Sequence, residues 1–524
     1  MSDAIFVLLP LSAAILLALG CLPSSSVNSR VHAFRQIVTF SAGMQFVFAG
    51  CFALAYVAGW IQTIHYTLVR VSSQSPIAVT VYYDGVACLM FALVSFVGWV
   101  ICRYSIRYLD GEATQGRYFR WTALTIGAVS LMVISGNLLM FIAMWILTSL
   151  GLHQLLLHYG HRPAAKRAAW TKFAISRIGD VALIAAMVLI YNEFKTLDFA
   201  ELFAAAESLA NVTPAMQAAG FLLVAGAVTK SAQFPFHTWL PQTMETPTPV
   251  SALMHAGIVN AGGYLIIRTS PLEALTPWAL TTLAIIGGFT ACFAAIVMLT
   301  QTSVKKSLAY STIAQMGFML LQCGLGAYSA AMLHILAHSL YKAYAFLSSG
   351  SVIAERAANS VTPSLNHPVD MIKLAIVGPT MLAFLWLMLT FFGINLITKP
   401  GGLLLGGLLC LALTHWIGQV MRSGSQELLM RAISIAGLLC LVYSASFCAV
   451  DKMVAPSLPN ASAPALIWLV ATTILAGFAG MFLLHLAISS GRASATLNRL
   501  HIHVANGFYV ESSLRRLFER LANN

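Results

Sequence analysis

Charge is what this chain has least of. Aspartate, glutamate, lysine and arginine together make up 9% of its 524 residues, and only 17 of those are acidic. Hydrophobic residues reach 59% and mean hydropathy is +0.82, which excludes an ordinary soluble domain and points to a lipid environment. The nine cysteines are scattered between Cys21 and Cys448 without a Cys-x-x-Cys pair, so an iron–sulfur cluster or structural zinc site has no support. No glycine-rich fingerprint follows a strand, which leaves dinucleotide binding equally unsupported. The chain is expected to bring no redox cofactor and no metal. Its first apolar segment has neither a basic leader nor a small-residue cleavage site, so it reads as a retained span.

What is present is a long series of apolar segments, about fifteen of spanning length, from 4–22 to 464–489. The net charge of +12 is a topology signal and not a nucleic-acid signal. Twenty-two of the 29 basic residues fall in connections on one side, among them Arg162, Lys166, Lys172, Arg177 and Lys305. Five lie on the other (Arg70, Lys195, Arg268, Lys399 and Lys452), and Lys230 and Lys342 lie within spans. By the positive-inside rule the N-terminus is outside and the C-terminus cytoplasmic. Residues 61–83 alternate around a Ser-Ser-Gln-Ser-Pro turn and predict an outer hairpin. Residues 193–213 predict a short amphipathic surface helix. In 490–524, Leu500, Val504, Phe508, Leu514, Leu517, Phe518 and Leu521 among arginines predict a cytoplasmic amphipathic helix, either a membrane anchor or a docking element.

Against that background the polar residues inside spans stand out. The stretch 230–255 holds Lys230, Glu245, His237, His255 and four prolines. A charge at bilayer depth costs a few kcal/mol, about 3 on insertion scales, so such residues face a bundle interior and mark pathways. Lys230 ends the first half of the seventh segment, and Pro235 and Pro241 then break it; broken helices are tolerated at that depth only where buried or lining a cavity. A lysine there can give up and regain a proton, the alternative being a snorkelling side chain. Thr248-Pro249 starts the next helix, with His255 two turns inside it. His334, His338 and Lys342 recur every four residues, one stripe with steps of about 6 Å, too long for direct hydrogen bonds and suited to intervening waters. Asp180 with Arg177 is either a self-neutralising i,i+3 pair or an entrance element. Asp84 reads as a helix N-terminal charge. Glu245 either caps the eighth helix or serves as counter-ion to Lys230, and Gln233, Ser311 and Gln315 are candidates to hold water beside the lysines.

The motifs KSAQFPFHTWLPQTMETPTPVSALMHAG, KKSLAYSTIAQMG and HILAHSLYKAYAFLSSGSVI resemble the proton-conducting membrane transporter family. That family holds the antiporter-like subunits of respiratory complex I and the Mrp-type cation/proton antiporters. The similarity runs from about Asp84 to Ile353. It implies an all-α polytopic bundle of about 14–15 transmembrane helices, with two inverted five-helix repeats and a broken seventh helix. The implied organisation is N-terminal helices with the hairpin (1–120), two antiporter-like repeats (121–268 and 277–421), C-terminal helices (429–489) and the cytoplasmic helix (490–524). The family's pathway lysines and histidines fall on Lys230, His255, Lys305, His334, His338 and Lys342.

Two departures matter. The family's fifth-helix glutamate, which pairs with the seventh-helix lysine, is replaced by Ile146 after Trp145. The twelfth-segment proline break and exit lysine have no counterpart in VGPTMLAFLWLMLTFFGINL. Both departures fit a third branch, similar to the DabB-like subunits of inorganic carbon accumulation complexes. That resemblance implies a bacterial inner-membrane subunit passing a cation, expected to be the proton. It also implies a cytoplasmic DabA-like zinc protein as partner, which would convert incoming CO₂ to bicarbonate and hold any zinc. A respiratory or Mrp-type subunit is the alternative, and a passive membrane anchor a third.

Overall fold

The computed structural model describes residues 2–70, 78–209, 211–350, 371–394, 400–459, 469–470, 472–481, 495–513 and 516. Its helices are α1 (Ser2–Cys21), α2 (Val31–Val57), α3 (Gly85–Tyr108), α4 (Gln115–Val133), α5 (Leu138–Leu156), α6 (Pro163–Phe194), α7 (Phe199–Ser208) and α8 (Pro214–Lys230). They continue with α9 (Thr248–Ala256), α10 (Ala261–Arg268), α11 (Pro277–Leu299), α12 (Val304–Gly324), α13 (Tyr328–Leu347), α14 (Met371–Phe391), α15 (Pro400–Met421), α16 (Gln426–Val454) and α17 (Ala495–Ala505). The expected polytopic helical bundle is what forms. Among the described residues seven helical segments are long and apolar enough to cross a membrane. Shorter apolar helices add Val7–Cys21, Ile376–Phe391, Gly406–Met421 and Thr472–Met481. Helices α12 and α13 have spanning length, but Lys305, Lys306, His334, His338 and Lys342 lower their hydropathy.

The hairpin forms as β1 (Ile64–Arg70) and β2 (Ala78–Tyr83), antiparallel, with Ile64 opposite Tyr83. The free edge of β2 is covered: Tyr82 N–H donates to the Ile134 carbonyl and Gly136 N–H to that of Thr80, at 2.9 and 2.8 Å. Surface helix α7 lies on the same face, with Phe203 edge-on to Tyr82 and Asp198 bonded to His65 at 2.8 Å. Asp84 caps α3 by accepting from Ala87 N–H, as its position predicts. Its carboxylate is also held by both terminal nitrogens of Arg268 at 2.9 Å. Arg268 is thus a buried partner of Asp84, not a loop charge, and it locks the end of α10 to the start of α3.

The opposite face is arginine-rich. Arg35 pairs with Asp110 at 2.6 Å, Arg162 with Glu245 at 2.9 Å, and Arg120 donates to the Gly20 carbonyl and to Ser24. There the tail folds back on its own protein: Val504 is buried, Gln301 donates to the Ala505 carbonyl, and Gln242 donates to Glu511. Phe508 stacks obliquely against Phe293 at 5.9 Å. The side chains of Leu500, Leu514, Leu517, Phe518 and Leu521 lie outside the described residues, as does Lys399.

Helix α6 begins nine residues earlier than the apolar segment 172–192 suggests, because Pro163 supplies the first-turn proline and the helix runs through Lys166, Arg167 and Lys172. Lys172 is therefore 2% exposed inside the bundle and not in a cytoplasmic connection.

Candidate functional site

The seventh span breaks where its prolines predict. Helix α8 stops at Lys230; Ala232 takes a left-handed φ of 51°, the Phe234–Pro235 bond is cis, and single turns at 236–238, 239–242 and 243–245 carry the chain on to Pro247. An L-residue in that left-handed region costs about 1–2 kcal/mol, held here by complete burial. The eighth span is also interrupted, at Gly257–Asn260 between α9 and α10, which the sequence reading treated as one helix. The two breaks touch: Ser231 Oγ donates to the Val259 carbonyl at 2.7 Å, and a Cβ on Gly262 would collide with Ser231 and the Ala227 carbonyl.

Around Lys230 the bundle collects charge. Its Nζ donates to the Trp145 carbonyl at 3.2 Å and lies 4.3 Å from the centre of the indole ring. Those two groups occupy the fifth-helix position next to Ile146. The negative charge comes from α6: Asp180, 2.6 Å from Arg177 Nη2, acts electrostatically on both Lys230 and Lys172. Lys172 Nζ donates to the Ser149 carbonyl and hydroxyl, each at 2.7 Å. Three cations thus surround one carboxylate. Glu245 is not among them; it is paired with Arg162 at the arginine-rich face, with 42% of its side chain exposed.

A second set lines α13. Lys342 is fully buried and its Nζ donates to the Leu308 carbonyl of α12 at 3.1 Å. His338 and His334 follow, with ring centres 6.1 Å apart, matching the one-turn stripe. His255 joins this set and not Lys230: it stacks on Phe346 at 4.4 Å, bonds Thr312 through Nδ1 at 3.0 Å and feels the charge of Lys342. Both ring nitrogens of His338, and Nε2 of His255 and His334, have no protein partner. Lys305 is half-buried in the first turn of α12, one turn before Leu308.

Asn260 joins the two sets. From the break in the eighth span its Nδ2 donates to the Ala256 carbonyl at 2.9 Å and to Ser339 at 2.7 Å, the residue after His338. Among the water-holding candidates, Gln233 is buried with its Oε1 unpartnered among the described residues, Gln315 is exposed and Ser311 is half-buried, next to the Thr312 that bonds His255. Asn260 and Lys172 were missed. The signals were Gly257 with Gly262-Gly263 for the break, and Pro163 for the true start of α6.

Residues 135–413 match the family described as NADH:quinone oxidoreductase/Mrp antiporter, TM, and residues 70–119 match the N-terminus of NADH-ubiquinone oxidoreductase (complex I) chain 5. The chain is 49% identical over 276 residues to the probable inorganic carbon transporter subunit DabB2 of Halothiobacillus neapolitanus, covering 53% of this chain and 50% of that one. It is 43% identical over 284 residues to the probable subunit DabB of Hydrogenovibrio crunogenus, covering 53% and 55%. It is 40% identical over 272 residues to NADH-quinone oxidoreductase subunit L of Escherichia coli, covering 52% and 44%. The matched region therefore spans about half the length of these curated relatives. In fold, the chain is similar to the Mrp complex from Dietzia sp., with a TM-score of 0.66 at 20% identity over 98% of this chain and 59% of that one. It is similar also to respiratory complex I from Thermus thermophilus, with a TM-score of 0.55 at 18% identity over 98% and 100%. With more than half its length matched by one family model, the chain belongs to the NADH:quinone oxidoreductase/Mrp antiporter transmembrane family.

Proposed function

We propose that this multi-pass membrane protein conducts a cation, the proton, as the membrane subunit of an energy-coupled inorganic carbon transporter. The observation that carries the reading is the polar line through the bundle: Asp180 and Lys172 beside Lys230, the Ser231–Val259 and Asn260–Ser339 contacts, then His338, His334, His255 and Lys342. An unpaired buried polar atom costs about 1–3 kcal/mol, so the bare imidazole nitrogens favour bridging water and proton hand-over along this line. Each repeat, 121–268 and 277–421, supplies one lysine, and Lys305 serves the mouth near the arginine-rich face. By charge bias that face is cytoplasmic in a bacterial inner membrane, with the hairpin periplasmic.

The relatives named as inorganic carbon transporter subunits support the transport context, as does Ile146 in place of the glutamate. The partner is a DabA-like zinc protein on the cytoplasmic side, which hydrates CO₂ while protons flow through this chain. The test is growth in ambient air of a strain lacking carbonic anhydrase and supplied with both genes. Rescue that disappears in Lys230→Ala and in Lys342→Ala supports conduction; rescue that survives both leaves only a membrane anchor. A second reading, a subunit of a respiratory or Mrp-type complex, is favoured by the 40% identity to subunit L of Escherichia coli. It predicts isolation with other respiratory or antiporter subunits and no rescue.

A further inference from the structure

One buried acid takes no part in this line. Glu273 ends the single turn 270–273 between α10 and α11 and is 0% exposed, although its backbone lies at the hairpin face. Helix α7 packs over that turn and closes it from outside, burying Phe199, Leu202 and Ala206 as it does so. Thr276 Oγ1 donates to Glu273 Oε2 at 3.2 Å, and Oε1 has no partner. Among the described residues nothing basic compensates the carboxyl: Arg268, five residues back, is committed to Asp84. Burial pushes the Glu273 carboxyl up to about 8, against a smaller opposing pull from Thr276.

The groups that face it are themselves polar and uncommitted. Tyr328, which opens α13, and Cys323, near the end of α12, both feel the Glu273 charge. Among the described residues the Tyr328 hydroxyl is buried without a partner, as is the hydroxyl of Ser270 on the same turn as Glu273. The acids of α7, Glu201 and Glu207, point to solvent. A pocket of this kind is a poor apolar filler and a poor ion pair; a buried carboxyl beside unpartnered polar groups is suited to gaining and losing a proton. Tyr328 stands six residues before His334 on the same helix, about 9 Å away along the axis and on a different face, so a link between them has to turn round α13.

We propose that Glu273 is a proton-exchange site connecting the hairpin face to the His334–His338 row, with Tyr328 holding water beside the carboxyl. This supplies the second half of the bundle with a port of its own at the face opposite Lys305. It rests on the proton-conducting reading above, and the test separates the two.

Two measurements on the full chain decide it. Infrared titration in membranes is expected to show one protonated carboxyl band that disappears across neutral to alkaline pH and is missing from Glu273→Gln. A Glu273 carboxyl that keeps one ionisation state between about pH 6 and pH 10 overturns the proposal. In vesicles, Glu273→Gln is expected to slow proton flux at least tenfold, about the lower reach of a placed proton-transfer group, and Tyr328→Phe to slow it less. Glu273→Gln flux equal to wild type, with the same dependence on hairpin-side pH, also overturns it. If Lys230→Ala and Lys342→Ala both conduct like wild type, the conduction reading fails, while the infrared titration still decides whether Glu273 exchanges protons.

Discussion

Lys230 sits among other charges, whereas Lys342 sits among neutral rings. Around Lys230, Lys172 and Arg177 share the single carboxylate of Asp180, and the Trp145 carbonyl and indole complete the shell. Around Lys342 the described residues place no carboxylate; the ammonium meets one helix carbonyl and the imidazoles of His255 and His338. A buried cation must be compensated or lose its proton. The first set does this with a fixed counter-ion, so a change at Asp180 alters the charge of everything near it. Among the described residues the second has no carboxylate, and its lysine meets a row of imidazoles instead. The first set therefore carries a fixed counter-ion, the second is a row of bases, and Asn260 is a contact between them.

The largest effect that sharpens this contrast is expected at Asp180. Asp180→Asn leaves three cations around a neutral amide, and breaking such a buried arrangement costs about 3–5 kcal/mol. Unfolding of the purified protein should show that loss, while His338→Gln, in the set without a counter-ion, should leave stability nearly unchanged and still reduce flux. Equal destabilisation by the two substitutions would erase the distinction. The next effect is at the link. Asn260→Ala strips donors from Ser339 and the Ala256 carbonyl, a loss of about 1–3 kcal/mol, and should slow transport without altering either lysine site. Flux that persists at the wild-type level in a folded Asn260→Ala protein would mean that the halves work separately. The smallest is Thr312→Val, which removes one hydrogen bond to His255 and should cost about 1 kcal/mol with only a modest fall in flux.

Much of this arrangement was legible in the residues, and the misses share a cause. The break after Lys230 could be read because Pro235 and Pro241 forbid a continuous helix, and the stripe of His334, His338 and Lys342 because four-residue spacing is local geometry. The hairpin and α7 were legible for the same reason, through alternation and amphipathicity. Long-range pairing was not. Arg268 reads as a loop charge until the fold brings it to Asp84, 184 residues away in sequence. Lys172 reads as part of a basic connection because hydropathy windows end apolar segments at the first lysine, although Pro163 marks the real helix start. From sequence Glu245 is the candidate counter-ion for Lys230 and Asp180 a self-neutralising or entrance residue; the packing of α6 against α8 brings Asp180 to Lys230 instead. From sequence His255 pairs with Lys230; the interruption at Gly257–Asn260 and the stack on Phe346 place it beside Lys342 instead.

Proton flux into vesicles carrying the chain with the proposed DabA-like partner tests the central claim most directly, comparing wild type with Lys230→Ala and Lys342→Ala at matched protein content. Conduction through one line that crosses both sets predicts that either substitution alone reduces flux by roughly 100-fold or more, toward the leak of bare lipid. Flux near the wild-type level in either variant would contradict it.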